Sequence, residues 1–361
     1  MKVVAAMSGG VDSSVVAGLL LEQGHDVIGV HMKLHDASPG TVAGHCCGLD
    51  DALDARRVAD SLGIPFYVMN LRKAFQRSVM DDLADTYLRG ATPNPCIQCN
   101  GVLKFKVLLA RAKALGATHL ATGHYARVVD GPQGAQLWSA VDEAKDQSYF
   151  LFPVTPNALS QTLFPLGGLT KPEVRAHAER MGMITASKAE SQEICFIPDD
   201  DHGRFISEAR PEVDGSGDIV DETGAFLGRH DGYFKYTIGQ RRGLGVSLGR
   251  PAYVLRIEPE TRRVVITTGV ELLDHLGLRA GSANWYDRPS PDQVVGVRIR
   301  HRGRKVPCRI GEGDVFEVQF LEPERAVAPG QAAVFYDGDR VLGGAWIRRA
   351  LPAGRAAPQA S

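Results

Sequence analysis

The sequence predicts an α/β protein. A parallel sheet with crossover helices fills residues 1–206, and two small mainly-β units follow, the last a β-barrel. Three observations carry this reading. Short β-branched runs alternate with helical patterns over the first 200 residues. A glycine stands just past the end of each early helical pattern. Beyond about residue 206 helical periodicity gives way to Gly-rich, charged turns at the spacing of short strands. Alternation of strand and helix implies right-handed crossovers and parallel pairing, whereas closely spaced turns imply antiparallel hairpins.

The elements follow in order. Val3–Ala6, Val27–Val30, Phe66–Leu71 and His119–Thr122 are short apolar runs, which read as strands buried on both faces. Ser14–Leu21, Asp51–Leu62, Lys73–Leu88 and Leu103–Leu115 read as helices. Gly24, Gly63, Gly90 and Gly116 sit where a helix C-cap takes positive φ. Thr170-x-x-Glu173 is a capping box that opens a helix over Val174–Met181. Farther on, Asp221–Gly224, Glu258–Arg262 and Asp337–Asp339 read as hairpin turns. Tyr253–Ile257, Val264–Thr267, Val294–Ile299, Val315–Phe320 and Ala332–Tyr336 read as strands. The expected domains are 1–206, 207–278 and 279–349, parted near Leu278–Trp285, with a disordered tail over 350–361.

At 361 residues, with 44% hydrophobic and 23% charged, the composition is that of a folded chain of two or three domains. No apolar run approaches the roughly 18 residues of a membrane span, and the apolar start is too short for a signal peptide. The expectation is a cytoplasmic protein without a membrane partner. A net charge of −1 leaves any nucleic-acid binding to local patches. Six cysteines in a reducing compartment read as catalytic or metal-binding thiols before structural disulfides.

Directly after the first strand comes Ser8-Gly9-Gly10-Val11-Asp12-Ser13-Ser14. Paired glycines admit close approach of an anion, free N–H groups and the helix dipole favour phosphate, and Asp12 is placed to hold Mg²⁺. The stretch is neither G-x-x-x-x-G-K nor G-x-G-x-x-G. Thr92-Pro93-Asn94-Pro95-Cys96-Ile97-Gln98-Cys99-Asn100 is a second constellation, which puts Cys99 near a helix N-terminus, where the dipole lowers a thiol's pKa. Cys-x-x-Cys alone also fits half a zinc site or a buried structural pair. The third is Glu190-Ser191-Gln192-Glu193-Ile194-Cys195-Phe196-Ile197.

The first of these resembles the pyrophosphate loop of N-type ATP pyrophosphatases. Taken with Tyr236-Thr237-Ile238-Gly239-Gln240-Arg241-Arg242-Gly243-Leu244-Gly245, Gly123-His124-Tyr125-Ala126, Lys145-Asp146-Gln147-Ser148-Tyr149 and Pro329-Gly330-Gln331, the motifs resemble the MnmA family of tRNA-specific 2-thiouridylases, over about residues 1–348 and in the family's order. The resemblance implies an adenine nucleotide alpha hydrolase-like first domain. It implies that ATP lies on Ala6, Met7, Ser8, Gly9, Gly10, Val11, Asp12 and Ser13, with Met32 and Gly123 around adenine and ribose. Cys99 is then the nucleophile and Cys195 the persulfide carrier, with a disulfide bond in the cycle. Asn94, Pro95 and Cys96 face the target base. His124, Lys145, Asp146, Gln147, Arg300, His301 and Gln331 touch tRNA. ATP adenylates the uracil oxygen of the wobble uridine, AMP and pyrophosphate leave, and sulfur takes the oxygen's place. The implied partners are the tRNA anticodon stem-loop and a persulfide-donating cysteine desulfurase or sulfur-relay protein, and the chain is expected to be monomeric. An adenylating amidotransferase of the same superfamily is the alternative enzyme, and a non-catalytic, zinc-stabilised RNA-binding protein is the alternative from another class.

Between Arg298 and Arg309 stand six Lys/Arg and no acid, enough for salt-sensitive RNA binding; the bland reading is a charged strand edge. Val297-Arg298-Ile299-Arg300 alternates, so the two arginines share a strand face. The Gln240–Gly249 loop adds Arg241 and Arg242. The group His31, His35, His45, Cys46 and Cys47 matches no finger spacing, and adjacent cysteines rarely reach one ion. Cys308 reads as core packing.

The chain departs from the family pattern at one place. Many members carry an Asp three residues before the nucleophile, and here that residue is Cys96. Cys96, Cys99 and Cys195 can hold a [4Fe–4S] cluster with one iron open for sulfide. The rival reading keeps the persulfide relay and makes Cys96 a bystander or resolving thiol; zinc fits the same ligand types.

Overall fold

The computed structural model describes residues 1–35, 49–132, 134–189, 194–197 and 199–352. They fall into two compact units. One comprises Met1–Met80, Pro95–Asp200 and Asp339–Val341; the other comprises Asp81–Asn94, Asp201–Gly338 and the chain from Leu342.

In chain order the first unit carries β1 (Lys2–Ala6), α1 (Val11–Glu22), β2 (Asp26–Lys33), α2 (Leu49–Ser61), β3 (Phe66–Asn70), β4 (His119–Ala121), β5 (Ala126–Gly131), β6 (Gly134–Ser139) and β7 (Thr162–Leu163). A parallel sheet runs β3-β2-β1-β4-β7. Val4 at its centre faces Ile28 on one side and Leu120 on the other. Val3, Val4 and Ala5 are fully buried, as a strand covered on both faces requires. α1 packs into the same core through Val15, Val16 and Leu20. Gly24, Gly63, Gly90 and Gly116 all take positive φ, and the capping box at Thr170 opens the helix Lys171–Arg180.

Three expectations for this half need correction. Among the described residues β3 pairs only with β2, at the edge of the sheet, and Tyr67 and Val68 are about half exposed instead of buried on both faces. β5 and β6 form an antiparallel hairpin that the strand–helix alternation did not anticipate. The helix expected from Leu103 starts at Pro95; it runs through Pro95–Gln98 into a π-helical stretch, Cys99–Leu108, before Leu109–Ala114.

The second unit comprises the helix Asp81–Leu88, the helix His202–Ala209 and a four-stranded sheet, followed by a barrel. The strands of the sheet are β8 (Gly217–Val220), β9 (Phe226–His230), β10 (Tyr253–Glu258) and β11 (Arg263–Thr267), in the order β10-β11-β8-β9. β8 and β11 pair in parallel, inside a region expected to be wholly antiparallel. Six further strands follow: β12 (Asp274–Trp285), β13 (Val295–Arg298), β14 (Val306–Ile310), β15 (Val315–Arg325), β16 (Ala332–Asp337) and β17 (Arg340–Pro352). They run β12-β15-β14-β13-β16-β17, and β12 pairs again with β17, which closes the barrel. Closure leaves no free edge, and alternate residues such as Val297, Phe316 and Phe335 fill the interior. The expected hairpin turns at 221–224, 258–262 and 337–339 all lie between paired strands. β12 is unbroken across the position expected to part the two small units. β17 runs to Pro352, past the expected start of the tail, whose residues 353–361 lie outside the described ones. No helix among the described residues is long and apolar enough to cross a membrane.

Candidate active site

The sheet order sets the site. From β1 the chain proceeds to β2 and β3 on one side, while β4 and β7 lie on the other. The crevice beyond the carboxyl ends of β1 and β4 is therefore a topological switch point, where open α/β sheets bind ligands. The loop after β1 and the residues Thr122, Gly123 and His124 after β4 meet there. Gly9 has φ +85°, and a Cβ on it would lie 2.3 Å from the Asp51 carbonyl oxygen, so no other residue fits. Gly123 brings its backbone close to Asp12 and Ser13; a Cβ would meet the Ser13 nitrogen at 3.1 Å. The Ser8 N–H donates to Ser13 Oγ at 3.1 Å, and the Ser13 and Ser14 hydroxyls donate to the Gly10 carbonyl at 3.1 and 3.0 Å. Gly10 begins α1 without a side-chain cap, which leaves the first-turn N–H groups open toward the crevice.

Two lysines far along the chain tie this loop down. Lys171 Nζ donates to Asp12 Oδ1 at 2.7 Å, and the Tyr125 hydroxyl donates to the same oxygen at 2.9 Å. Asp12 Oδ2 has no protein hydrogen bond among the described residues, which fits a carboxylate that reaches a Mg²⁺ ion on a triphosphate. Lys188 Nζ donates to Asp51 and Asp54, each at 2.7 Å, and to the Gly9 carbonyl at 3.1 Å. Burial works against the Lys188 charge, but its bonds to Asp51 and Asp54 outweigh that and raise its pKa.

A cavity of about 340 Å³ joins the loop to the thiols. Ala6, Met7, Ser8, Asp12, Ser13, Met32, Pro95, Cys96, Cys99, Gly123, His124, Gln147 and Cys195 all line it. Gly9, Gly10 and Val11 form the turn behind them. Cys99 belongs to an apolar cluster with Leu34, Phe75 and Leu103, and Cys195 and Phe196 pack against that cluster. The rings of Phe75 and Phe196 meet edge to face at 5.3 Å. Cys96, Cys99, Cys195 and Cys308 are not in disulfides; Cys308 lies in the barrel core, as expected.

The helix-dipole expectation for Cys99 does not hold. The helix begins at Pro95, so Cys99 lies a turn inside it, and burial pushes its thiol up to about 12 against the opposing charge of Lys104. Cys96 is exposed to solvent, but from within a concave site. The surrounding protein and then the charge of Cys195 push it to about 11, again with Lys104 opposing. In a π-helical stretch hydrogen bonds run i→i+5, so residues five apart align, and Cys99 and Lys104 share a face. Lys104 Nζ also lies 3.3 Å from His124 Nε2, and His124 Nδ1 lies 2.7 Å from Thr122 Oγ1. Burial, then the Lys104 charge, hold His124 far below the usual imidazole pKa. It is thus a neutral acceptor that fixes the ammonium beside the thiols.

Other expected contacts are placed differently. Asp146 is buried, and its carboxylate accepts from the Ala140 and Ser148 N–H groups and the Ser148 hydroxyl, so it orders its own loop. Gln147 Oε1 accepts from the Tyr125 N–H at 3.0 Å, and Lys145 is partly exposed. In the second unit the Gln331 amide donates to the carbonyls of Thr92 and Pro93, the residues leading to Asn94. Arg298 is half-buried with its guanidinium 5.1 Å from the Tyr336 ring centre, while Arg300 lies past the end of β13 and is exposed, so the strand face expected to carry both arginines is not formed; His301 follows in the next turn. The patch is less cationic than its own sequence. Glu324 on β15 pairs with Arg300 and Arg304, and Arg304 also bonds Glu322. Arg241 and Arg242 are exposed. Among the described residues no group of three or more His, Cys, Asp or Glu is placed to hold a metal ion. His45, Cys46, Cys47 and Glu190 through Glu193 lie outside the described residues. Lys104, Lys171 and Lys188 are the site residues sequence reasoning passed over. Lys171 and Lys188 act through partners more than a hundred residues away, where no local pattern marks the pairing, whereas Lys104 stands five residues from Cys99 in one helical stretch.

Residues 1–199 match the family described as tRNA methyl transferase HUP domain. Residues 203–268 match the tRNA methyl transferase PRC-barrel domain and 275–347 the aminomethyltransferase beta-barrel domain. The tRNA-specific 2-thiouridylase MnmA of Geobacter metallireducens is 49% identical over 362 residues, covering 98% of each chain. Its namesake from Geotalea uraniireducens is 51% identical over 360 residues, covering 97% of this chain and 96% of its own. Among solved structures, a 4-thiouridine synthetase–RNA complex with bound ATP covers 58% of this chain and 53% of its own at 18% identity and a TM-score of 0.35, too low a likeness to bear on function. Near-complete mutual coverage at about half identity decides the matter: the chain belongs to the MnmA family of tRNA-specific 2-thiouridylases.

Proposed function

We propose that the chain is an ATP-dependent sulfurtransferase that converts the wobble uridine of tRNA to 2-thiouridine, with residues 1–206 as its catalytic part. One observation carries this reading: the phosphate-type loop and the thiols of Cys96, Cys99 and Cys195 line a single cavity. Activation of a base carbonyl and delivery of sulfur to the same carbon then need no passage between sites.

The triphosphate rests on the N–H groups at the start of α1, with adenine and ribose beside Met32 and Gly123. An oxygen of the extruded base attacks the α-phosphorus, and the loop holds the departing pyrophosphate. Mg²⁺ bound at Asp12 Oδ2 would offset phosphate charge, while Lys171 and Tyr125 keep the carboxylate oriented. A persulfide on Cys195, supplied by a donor protein, attacks carbon 2 and AMP leaves. The Cys99 thiolate, favoured by Lys104, then attacks Cys195 Sγ, and the sulfur stays on the base. Asn94, Pro95 and Cys96 face the base. His124 and Gln147 lie at the cavity wall, and Arg300, His301 and Gln331 are the outer RNA contacts of the proposal. The [4Fe–4S] alternative asks Cys96, Cys99 and Cys195 to converge on one cluster, and their placement does not form a metal-holding group. Zinc meets the same objection.

The test is nucleoside mass spectrometry of tRNA incubated with the protein, ATP and a persulfide donor. Formation of 2-thiouridine with AMP is expected; unchanged uridine with a competent donor refutes the proposal.

A further inference from the structure

We propose that Cys96 is a resolving thiol, which takes over the disulfide that sulfur release leaves between Cys99 and Cys195 and passes it to a dithiol reductant from solvent. This rests on the sulfurtransferase reading and adds to it how the site is reset.

The first support is geometric. Cys96 lies in the helix Pro95–Gln98, Gln98 keeps helical angles, and Cys99 continues the turn. Residues three apart on a helix have Cα atoms about 5 Å apart, inside the roughly 4.4–6.8 Å that a disulfide spans. The second is a gradient of access along one cavity wall: Cys99 is buried, Cys195 half-buried and Cys96 exposed. A disulfide between Cys99 and Cys195 is the least reachable pairing of the three, and one between Cys96 and Cys99 presents a sulfur to solvent. The third is electrostatic. Beyond burial, the charge of Cys195 opposes ionisation of Cys96, and Lys104 favours it. Once Cys195 is bonded to Cys99 it carries no charge, so Cys96 ionises more readily in the state that needs its thiolate.

The exchange balances. The Cys96 thiolate attacks Cys99 Sγ, the Cys99–Cys195 bond breaks, and Cys195 leaves as a thiolate, with no net change of oxidation state. Cys195 is then free to accept the next persulfide. A protein dithiol afterwards gives two electrons to the Cys96–Cys99 disulfide and becomes a disulfide itself. They replace the two electrons that Cys99 and Cys195 gave up when the transferred sulfur passed from the persulfide level to the thiocarbonyl.

The experiment uses the full chain loaded with glutathione persulfide, then given tRNA and ATP without reductant, quenched in acid with a maleimide and mapped by peptide mass spectrometry. The expected bond is Cys96–Cys99, with Cys195 alkylated. In Cys96→Ser the bond stays at Cys99–Cys195, and with a protein dithiol present thiouridine stops at roughly one per chain while the wild type continues. A wild-type bond between Cys99 and Cys195 with Cys96 alkylated overturns the inference and leaves the sulfurtransferase reading standing. Stoichiometric iron and sulfide in anaerobically prepared active protein also overturns it. Absence of any thiouridine from the wild type sinks both.

Discussion

Replacing Gly9 with alanine puts a methyl carbon where the backbone of α2 already stands. The new Cβ would lie 2.3 Å from the Asp51 carbonyl oxygen and 2.8 Å from its carbonyl carbon and Cα. These are backbone atoms, so no side-chain rotation relieves the overlap, and forced shifts of this kind cost about 1–3 kcal/mol. The φ of +85° adds about 1–2 kcal/mol for a residue with a Cβ. Gly10 is the control. Its φ is −93° and its Cβ would meet only Ser8 Oγ, at 3.6 Å, so alanine there costs under about 1 kcal/mol as a poorer N-cap. Both changes restrict the unfolded chain equally, and that contribution cancels in the comparison. Gly9→Ala is therefore the more damaging by about 1–5 kcal/mol, or about 5- to 5000-fold in opening equilibrium. Native-state hydrogen exchange of the α1 amides reads this locally, without assuming that two units unfold together. Protection in the two variants within threefold of each other refutes the packing of this loop on α2 and the reasoning built on it.

Lys188→Met removes two ion pairs and a bond to Gly9, one partner being buried Asp51; a loss of about 2–3 kcal/mol is expected in urea unfolding. Because the Lys188 pKa is raised in the folded chain, its contribution is complete below the ordinary lysine value of 10.5 and is lost as pH rises through the higher folded value. Wild type alone should show that alkaline loss, and parallel profiles would contradict the assignment. Lys104→Gln should push the Cys99 thiol still higher, seen as an alkaline shift in the pH profile of Cys99 alkylation; an unmoved profile removes Lys104 from the thiolate argument. Asp12→Ala should abolish AMP formation while tRNA binding persists in gel-shift titrations, and lost tRNA binding with normal adenylation would reverse the role given to Asp12.

The local grammar of the chain was legible. Glycines at 24, 63, 90 and 116 end helices because only they take positive φ without strain, and every one does so here. The loop at Ser8–Ser13 and the barrel's alternating strands follow from patterns a few residues long. What escaped depends on who covers whom. The apolar run at Tyr67 and Val68 looks like any buried strand, yet among the described residues β3 has a neighbour on one side only. The Arg298–Arg309 stretch looks like an unopposed cationic patch until β15 brings Glu322 and Glu324 beside it. Lys171 reaches Asp12 and Lys188 reaches Asp51 across more than a hundred residues, where no periodicity operates. Cys99 shows the same limit in its chemistry: Cys-x-x-Cys after two prolines suggested a helix start and a low pKa, but the helix begins a turn earlier and burial dominates.

The short run 81–94 has a history as well as a place. It is translated early, but the groups that hold it come late. Arg210 bonds Asp85, the Tyr233 hydroxyl donates to the Leu88 carbonyl, the Pro329 carbonyl accepts from the Thr92 N–H, and Gln331 clasps Thr92 and Pro93. Closing so long a loop adds little to the equilibrium cost, since that grows only with the logarithm of length. In time the cost is larger, because long-range pairings are slow to find. On the ribosome the run is therefore tied in two stages: Asp85 and Leu88 once Arg210 and Tyr233 have been made, Thr92 and Pro93 only once Pro329 and Gln331 have. A nascent chain cut before Pro329 should leave residues 92–94 as accessible to protease as any linker, although every residue of the run is already there.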